Sequence, residues 1–140
     1  MHGLYFEDLS EGQSAELTRV ATAAVVEAFA ELSGDTNPLH LDEAYARTTS
    51  FGQRIAHGML AAAYISAVLG TKLPGPGAIY LSQNLRFRRP IRLGDPVTAR
   101  VTVKALDARR GHATLSTVCD VNGKTAVDGE AIVMVPRRPT

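Results

Sequence analysis

"HGMLAAAYISAVLGTKL", residues 57–73, is apolar almost all round, rich in alanine, and stopped near Gly70 and Pro74. A helix with so little polar face is expected to be buried. Its apolar run "MLAAAYISAVLG" (59–70) is shorter than the roughly 20 residues that a bilayer span requires, so protein has to cover it. The stripe Ile65, Val68 and Leu69 is the natural core-facing side.

Downstream, "PGPG" (74–77) marks a turn, and strand signals then run to the end of the chain. "AIYLSQNLRFRRPI" (78–91), "DPVTARVTVKAL" (95–106), "HATLSTVCDVN" (112–122) and "TAVDGEAIVMV" (125–135) alternate or are β-branched, separated by Gly, Asp and Asn turns. Upstream, "QSAELTRVAT" (13–22) reads as a first strand anchored by Leu17 and Val20. "TAAVVEAFAELSG" (22–34) changes to helical period, with Val25, Phe29 and Leu32 recurring, Thr22 as N-cap and Gly34 as stop. "LDEAYARTT" (41–49) reads as a short second helix, with Asp42 or Glu43 near its positive end. Helices followed by a run of strands argue for an α+β fold: one long helix packed on a curved antiparallel sheet, in a single domain over residues 1–140. One sheet edge would stay exposed, and pairing across a twofold axis would cover it, so a homodimer is expected.

With 140 residues and 45 % hydrophobic content the chain can build one core. A net charge of +1 supplies no field that would draw it to nucleic acid or to a membrane. Cys119 is the single cysteine, which excludes an intrachain disulfide and a Cys-rich metal site. The opening "MHGLYFEDLSEG" lacks the basic-then-apolar layout of a signal peptide. A cytoplasmic protein is therefore expected. The tail "PRRPT" is expected to fray.

Chemistry concentrates in "LSGDTNPLH", residues 32–40. Asp35 and His40 are five positions apart. In a regular helix that spacing turns two side chains roughly 140° apart, and in a flat strand it sets them on opposite faces. Convergence needs an irregular backbone, and the residues provide for one. Gly34 allows a sharp helix end, Pro38 disfavours helical geometry at Asn37, and the Asn37 amide can fold back on the local backbone. A helical turn starting at Pro38 would place His40 near its positive end, disfavouring the imidazolium. Composition alone favours the plainer reading, a helix stop plus an Asx-turn with His40 as a partly buried structural residue.

The stretch "FAELSGDTNPLHLDEAYA" (29–46) resembles the signature of the MaoC-like hydratases, in particular the (R)-specific enoyl-CoA hydratases. The matching positions are Phe29, Ser33, Gly34, Asp35, Asn37, Pro38, Leu39, His40 and Ala46. "IAHGMLAAAYIS" is similar to the start of that family's central helix, and "LRFRRPIRLGD" to its Phe-x-x-Pro and Gly-Asp segments. The resemblance implies a hot-dog fold, usually dimeric, and addition of water to a trans-2-enoyl thioester of coenzyme A to give the (R)-3-hydroxyacyl product. It implies that Asp35 and His40 hold and activate the water and that the backbone N–H of Gly58 binds the thioester oxygen. Ser66 matches a polar position further along the helix, Leu69 belongs to the side of the helix that can line an acyl tunnel, and Asn37 orients the turn. No metal is implied, and no cofactor beyond the coenzyme A carried by the substrate. Two other readings share the fold: a dehydratase acting on carrier-protein thioesters, and a module that binds acyl-CoA without turning it over.

Other signals carry less. His57 is expected to cap the helix or to hydrogen-bond nearby backbone. His2 and His112 lie in a terminus and a turn, and the four histidines show no metal-ligand spacing with carboxylates. Arg86, Arg88, Arg89 and Arg92 read first as a solvated strand edge and second as contacts for the phosphates of coenzyme A.

Overall fold

Alternation writes the sheet. In the computed structural model, which describes residues 2–140, β3 (Pro96–Asp107) and β4 (His112–Val121) each bury every second residue through most of their length. Val97, Ala99, Val101 and Val103 face the same side as Ala113, Leu115 and Cys119. β1 (Ser14–Val20) pairs antiparallel with β3, and β5 (Lys124–Met134) with β4. β2 (Ile79–Phe87) pairs antiparallel with β5 at the far side. The five-stranded order is β1-β3-β4-β5-β2. Every pairing is antiparallel, as strands joined by short turns allow.

Across the buried face lies the helix read from residues 57–73. It spans Gly58–Thr71 and is α4 in chain order, after α1 (Ala23–Ser33), α2 (Pro38–Leu41) and α3 (Glu43–Arg47). Leu60, Ala61, Ile65, Val68 and Leu69 are buried against the sheet. Each large one contributes about 1.5–3 kcal/mol by leaving water. The long helix wrapped by an antiparallel sheet is the architecture expected from the sequence.

Several details differ. Val20 is 47 % exposed and does not anchor β1, where Ala15 and Leu17 carry the contact with the core. In α1 the buried residues are Val26 and Ala30, while Leu32 is 86 % exposed. Leu32 stands roughly 160° round the helix from the buried Ala30, on the side that faces solvent. The short helix expected within 41–49 is there as α3, capped as read by Asp42 through the Tyr45 N–H at 3.1 Å, but it is shorter than the stretch, because Leu41 belongs to α2. The tail is held as far as Arg138. Its N–H donates to Glu7 Oε1 at 2.7 Å, its guanidinium meets Asp8, and Arg137 lies over the Phe6 ring.

Entry into α4 is fixed by the segment that joins β2 to β3. Ile55 bridges Arg92, and the Ala56 N–H donates to the Ile91 carbonyl at 2.7 Å. His57 and Gly58 are thereby delivered to a defined place beside the end of β2.

Candidate active site

The turn after α1 is built by side chains that imitate backbone. Gly34 ends the helix with φ of 82°, a left-handed conformation that a β-carbon would strain. The Ser33 hydroxyl donates to the Phe29 carbonyl at 2.7 Å and accepts the Asp35 N–H at 3.1 Å. Asp35 Oδ1 accepts the Asn37 N–H at 3.2 Å, and Asn37 Oδ1 accepts the Leu39 N–H at 3.0 Å. These are two successive Asx-type turns. Pro38 then opens α2, where its missing N–H costs nothing.

The result is the convergence that a regular helix or strand would forbid. Ligating atoms of Asp35, His40 and His57 all lie within 4.8 Å of one another. Asp35 is exposed, whereas His40 is 8 % exposed. His40 Nδ1 lies 2.7 Å from the Ile55 carbonyl, which can only accept, so the proton sits on Nδ1 and Nε2 presents a lone pair. Arg54 Nε donates to the His40 carbonyl at 2.8 Å and pins the same residue from its backbone.

His40 and Gly58 line one cavity of about 460 Å³, with Ile55, Met59, Phe87 and Arg89 among its walls. Asp35 flanks His40 but is not part of that lining. As the first residue of α4, Gly58 has an N–H with no intrahelical carbonyl to serve. A β-carbon there would stand 2.6 Å from Cε1 of the Phe87 ring. Glycine is thus required if the ring is to lie where it does.

Ser66 and Leu69 are not gathered with these groups. They line a separate cavity of about 160 Å³ further along α4, with Gly70, Ala78, Tyr80 and Val133. Burial pushes the Tyr80 phenol pKa up there. Asn37 is exposed and its amide oxygen is engaged within its own turn. Arg88 and Arg89 belong to the wall of the first cavity as well as to the solvated surface, and Arg88 pairs with Asp128 at 2.6 Å.

His57 makes the hydrogen bond to backbone expected of it, and it does more. It is the N-cap residue of α4, but its side chain makes no capping hydrogen bond. It is 2 % exposed, its ring stacks on His40 at 3.9 Å between centroids and 29° between planes, and it tilts against Phe29 at 4.9 Å. Its Nε2–H donates to the Asp35 carbonyl at 3.0 Å. Nδ1 is buried with no partner among the described residues. An unpaired buried acceptor costs about 1–3 kcal/mol. The bond to backbone was expected; its partner was not, because 22 positions separate the two residues.

Asp, His and His in one cluster raise the question of a metal. An imidazole binds an ion in its own ring plane, and two rings stacked nearly parallel do not aim at one point. One nitrogen of each ring is also committed to a carbonyl. The cluster suits proton handling better than coordination.

An acid and an imidazole beside a helix N-terminus, in a hot-dog fold, define a class, and the comparisons with known proteins agree with it. Residues 7–129 match the MaoC like domain, and the chain belongs to that family. It is 57 % identical over 134 residues to the (R)-specific enoyl-CoA hydratase of Rhodospirillum rubrum, covering 96 % of this chain and 93 % of that protein. Its fold is similar to the solved (R)-hydratase from A. caviae involved in PHA biosynthesis, with TM-score 0.90 and 50 % identity over 93 % of this chain and 99 % of that one. It is also similar to an R-hydratase from Pseudomonas aeruginosa in the unliganded form, with TM-score 0.92 and 45 % identity over 97 % and 88 % of the two chains.

Proposed function

We propose that this chain is an (R)-specific enoyl-CoA hydratase in which Asp35 and His40 activate water and the Gly58 N–H holds the thioester oxygen. The observation that carries the reading is the meeting, at one cavity, of the His40 imidazole and the first free amide of α4, with the Asp35 carboxylate beside the imidazole.

The chemistry follows from the groups. Water adds its oxygen to C3 of the enoyl thioester and gives up a proton, while C2 gains one. His40, protonated on Nδ1, offers its Nε2 lone pair to the water, and the Asp35 carboxylate is a second acceptor. Between them they take one proton and deliver one. As C3 is attacked, negative charge builds on the thioester oxygen, where a fixed N–H at a helix start is well placed to meet it. Acid–base catalysis typically contributes roughly 10²–10⁴-fold, and one oxyanion donor about 10²–10³-fold. The reaction needs both stations. Coenzyme A arrives as part of the substrate, and no further cofactor enters. Asn37 acts by holding the turn. Ser66 and Leu69, at the second cavity, are assigned to the acyl chain.

The test is hydration of crotonyl-CoA, read as loss of absorbance at the enoyl thioester band, with chiral analysis of the product. Formation of (R)-3-hydroxybutyryl-CoA is expected. Binding without product would leave the acyl-CoA-binding module standing.

Arg88 and Arg89 at the cavity wall favour a second reading, a dehydratase that receives its thioester from an acidic carrier protein. Comparing rates on coenzyme A and carrier-protein thioesters separates the two.

We further propose a homodimer joined along β2. Among the described residues that strand pairs only with β5, and Ile79, Tyr80, Leu81 and Phe87 on it are each more than a third exposed. The opposite edge, β1, carries the exposed polar residues Glu16, Thr18 and Arg19 instead. Light scattering at twice the monomer mass is the expected result. No helix of the described residues is long and apolar enough to cross a membrane.

A further inference from the structure

We infer that His57 is a positioning residue that sets the catalytic turn against the oxyanion amide. The inference rests on the hydratase reading and deepens it.

Three stations must hold a fixed relation during the reaction: the Asp35 carboxylate, the His40 imidazole and the Gly58 N–H. They sit on separate pieces of chain, the turn after α1, the short α2 and the start of α4. One residue is joined to all three pieces, through its ring to the turn and to His40 and through its backbone to Gly58. His57 immediately precedes Gly58, so the backbone that places the ring also places the amide. Its Nε2–H donates to the Asp35 carbonyl at 3.0 Å, and its ring covers His40 at 3.9 Å. The Asp35 carbonyl accepts no other bond among the described residues, so this contact is the tie between the turn and α4.

The unpaired Nδ1 separates this role from simple packing. His57 is buried with one nitrogen bonded and the other left without a partner. A core position asking for shape alone would be filled by an aromatic hydrocarbon ring with no orphaned acceptor, and Phe29 stands beside it as an example. What the site requires is the donor at the Nε2 position. The bond ends on a main-chain carbonyl, so His57 acts through the placement of Asp35 and need not touch substrate.

Displacement of a catalytic group by about 1 Å can cost on the order of 10²-fold in rate. His57→Phe keeps the ring volume and the stack but loses the donor. His57→Gln puts an amide N–H where Nε2 stood, and His57→Asn puts one nearer the Nδ1 position. Steady-state hydration of crotonyl-CoA, with a thermal melt of each variant, is the experiment. The expected result is a kcat about 10–100-fold lower for His57→Phe with KM changed less than about threefold. His57→Gln should recover most of kcat, and His57→Asn should not. A folded His57→Phe with wild-type kcat overturns the inference. If that variant does not fold, equal kcat in the Gln and Asn variants overturns it. Asp35→Asn is run alongside. An inactive wild-type protein defeats the hydratase reading itself, whereas an active wild type, a dead Asp35→Asn and a fully active His57→Phe defeat this inference alone.

Discussion

Replacing Asp35 with Asn removes a negative charge from the turn and almost nothing else. The carboxylate is exposed, and its structural contact is the bond that Oδ1 accepts from the Asn37 N–H at 3.2 Å. An amide oxygen accepts the same bond, so stability should change by about 0.5 kcal/mol or less. The chemical loss is far larger. Half of a water-activating pair is worth roughly 10²–10⁴-fold, which corresponds to about 2.7–5.5 kcal/mol of transition-state stabilisation. The two effects differ by a factor of five or more and are measured separately. Crotonyl-CoA hydration reports the first, and the urea midpoint the second. Retention of more than about a tenth of the wild-type rate would refute the assignment of Asp35. So would a rate loss that merely tracked a loss of stability, because the turn would then be a structural device whose breakage spreads.

His40→Ala should differ from Asp35→Asn by failing in both assays: the Ile55 carbonyl loses its 2.7 Å donor, adding about 1–3 kcal/mol of destabilisation to the loss of activity. Gly129→Ala should leave the site residues intact and still damage the protein, since a β-carbon there would stand 1.9 Å from the Asn84 carbonyl oxygen and force β2 from β5; about 3 kcal/mol of lost stability is expected by denaturant unfolding. The Cys119 thiol, buried in the core and close to Asp120, has its pKa pushed from 9.0 up to about 12, chiefly by desolvation. It should resist alkylation in the native protein at pH 8.5 and react on unfolding. The unfolded thiol ionises first as pH rises, so the raised folded value means stability is lost between about pH 9 and 12. The slope is about 1.4 kcal/mol per pH unit, and Cys119→Ala should flatten that limb in pH-dependent unfolding.

How much of this was legible in the chain depends on the range of the interaction. Thr22 and Gly34 bound α1 as read, because a cap and a left-handed stop act within a turn of backbone. The bend at 33–39 was legible for the same reason: each of its hydrogen bonds spans four residues or fewer. Asp35 and His40 could therefore be expected to converge, and α4 with its strands could be expected to form the fold. Leu32 was misread because helical periodicity offers an apolar stripe but does not say that the core covers the side of Val26 and Ala30 instead.

Sequence by itself determined the local devices and the alternation that makes α4 and the sheet fit one another, since both depend on neighbours a few positions away. Tertiary structure alone decided what stands next to the turn that carries Asp35 and His40. His57 reaches Asp35 across 22 positions, and the cavity wall joins Ile55 to Phe87 and Arg89. Ser66 and Leu69 turned to a different cavity from Gly58 although all three share a helix. Such placements follow from packing of side chains far apart in the chain, and no spacing rule encodes them.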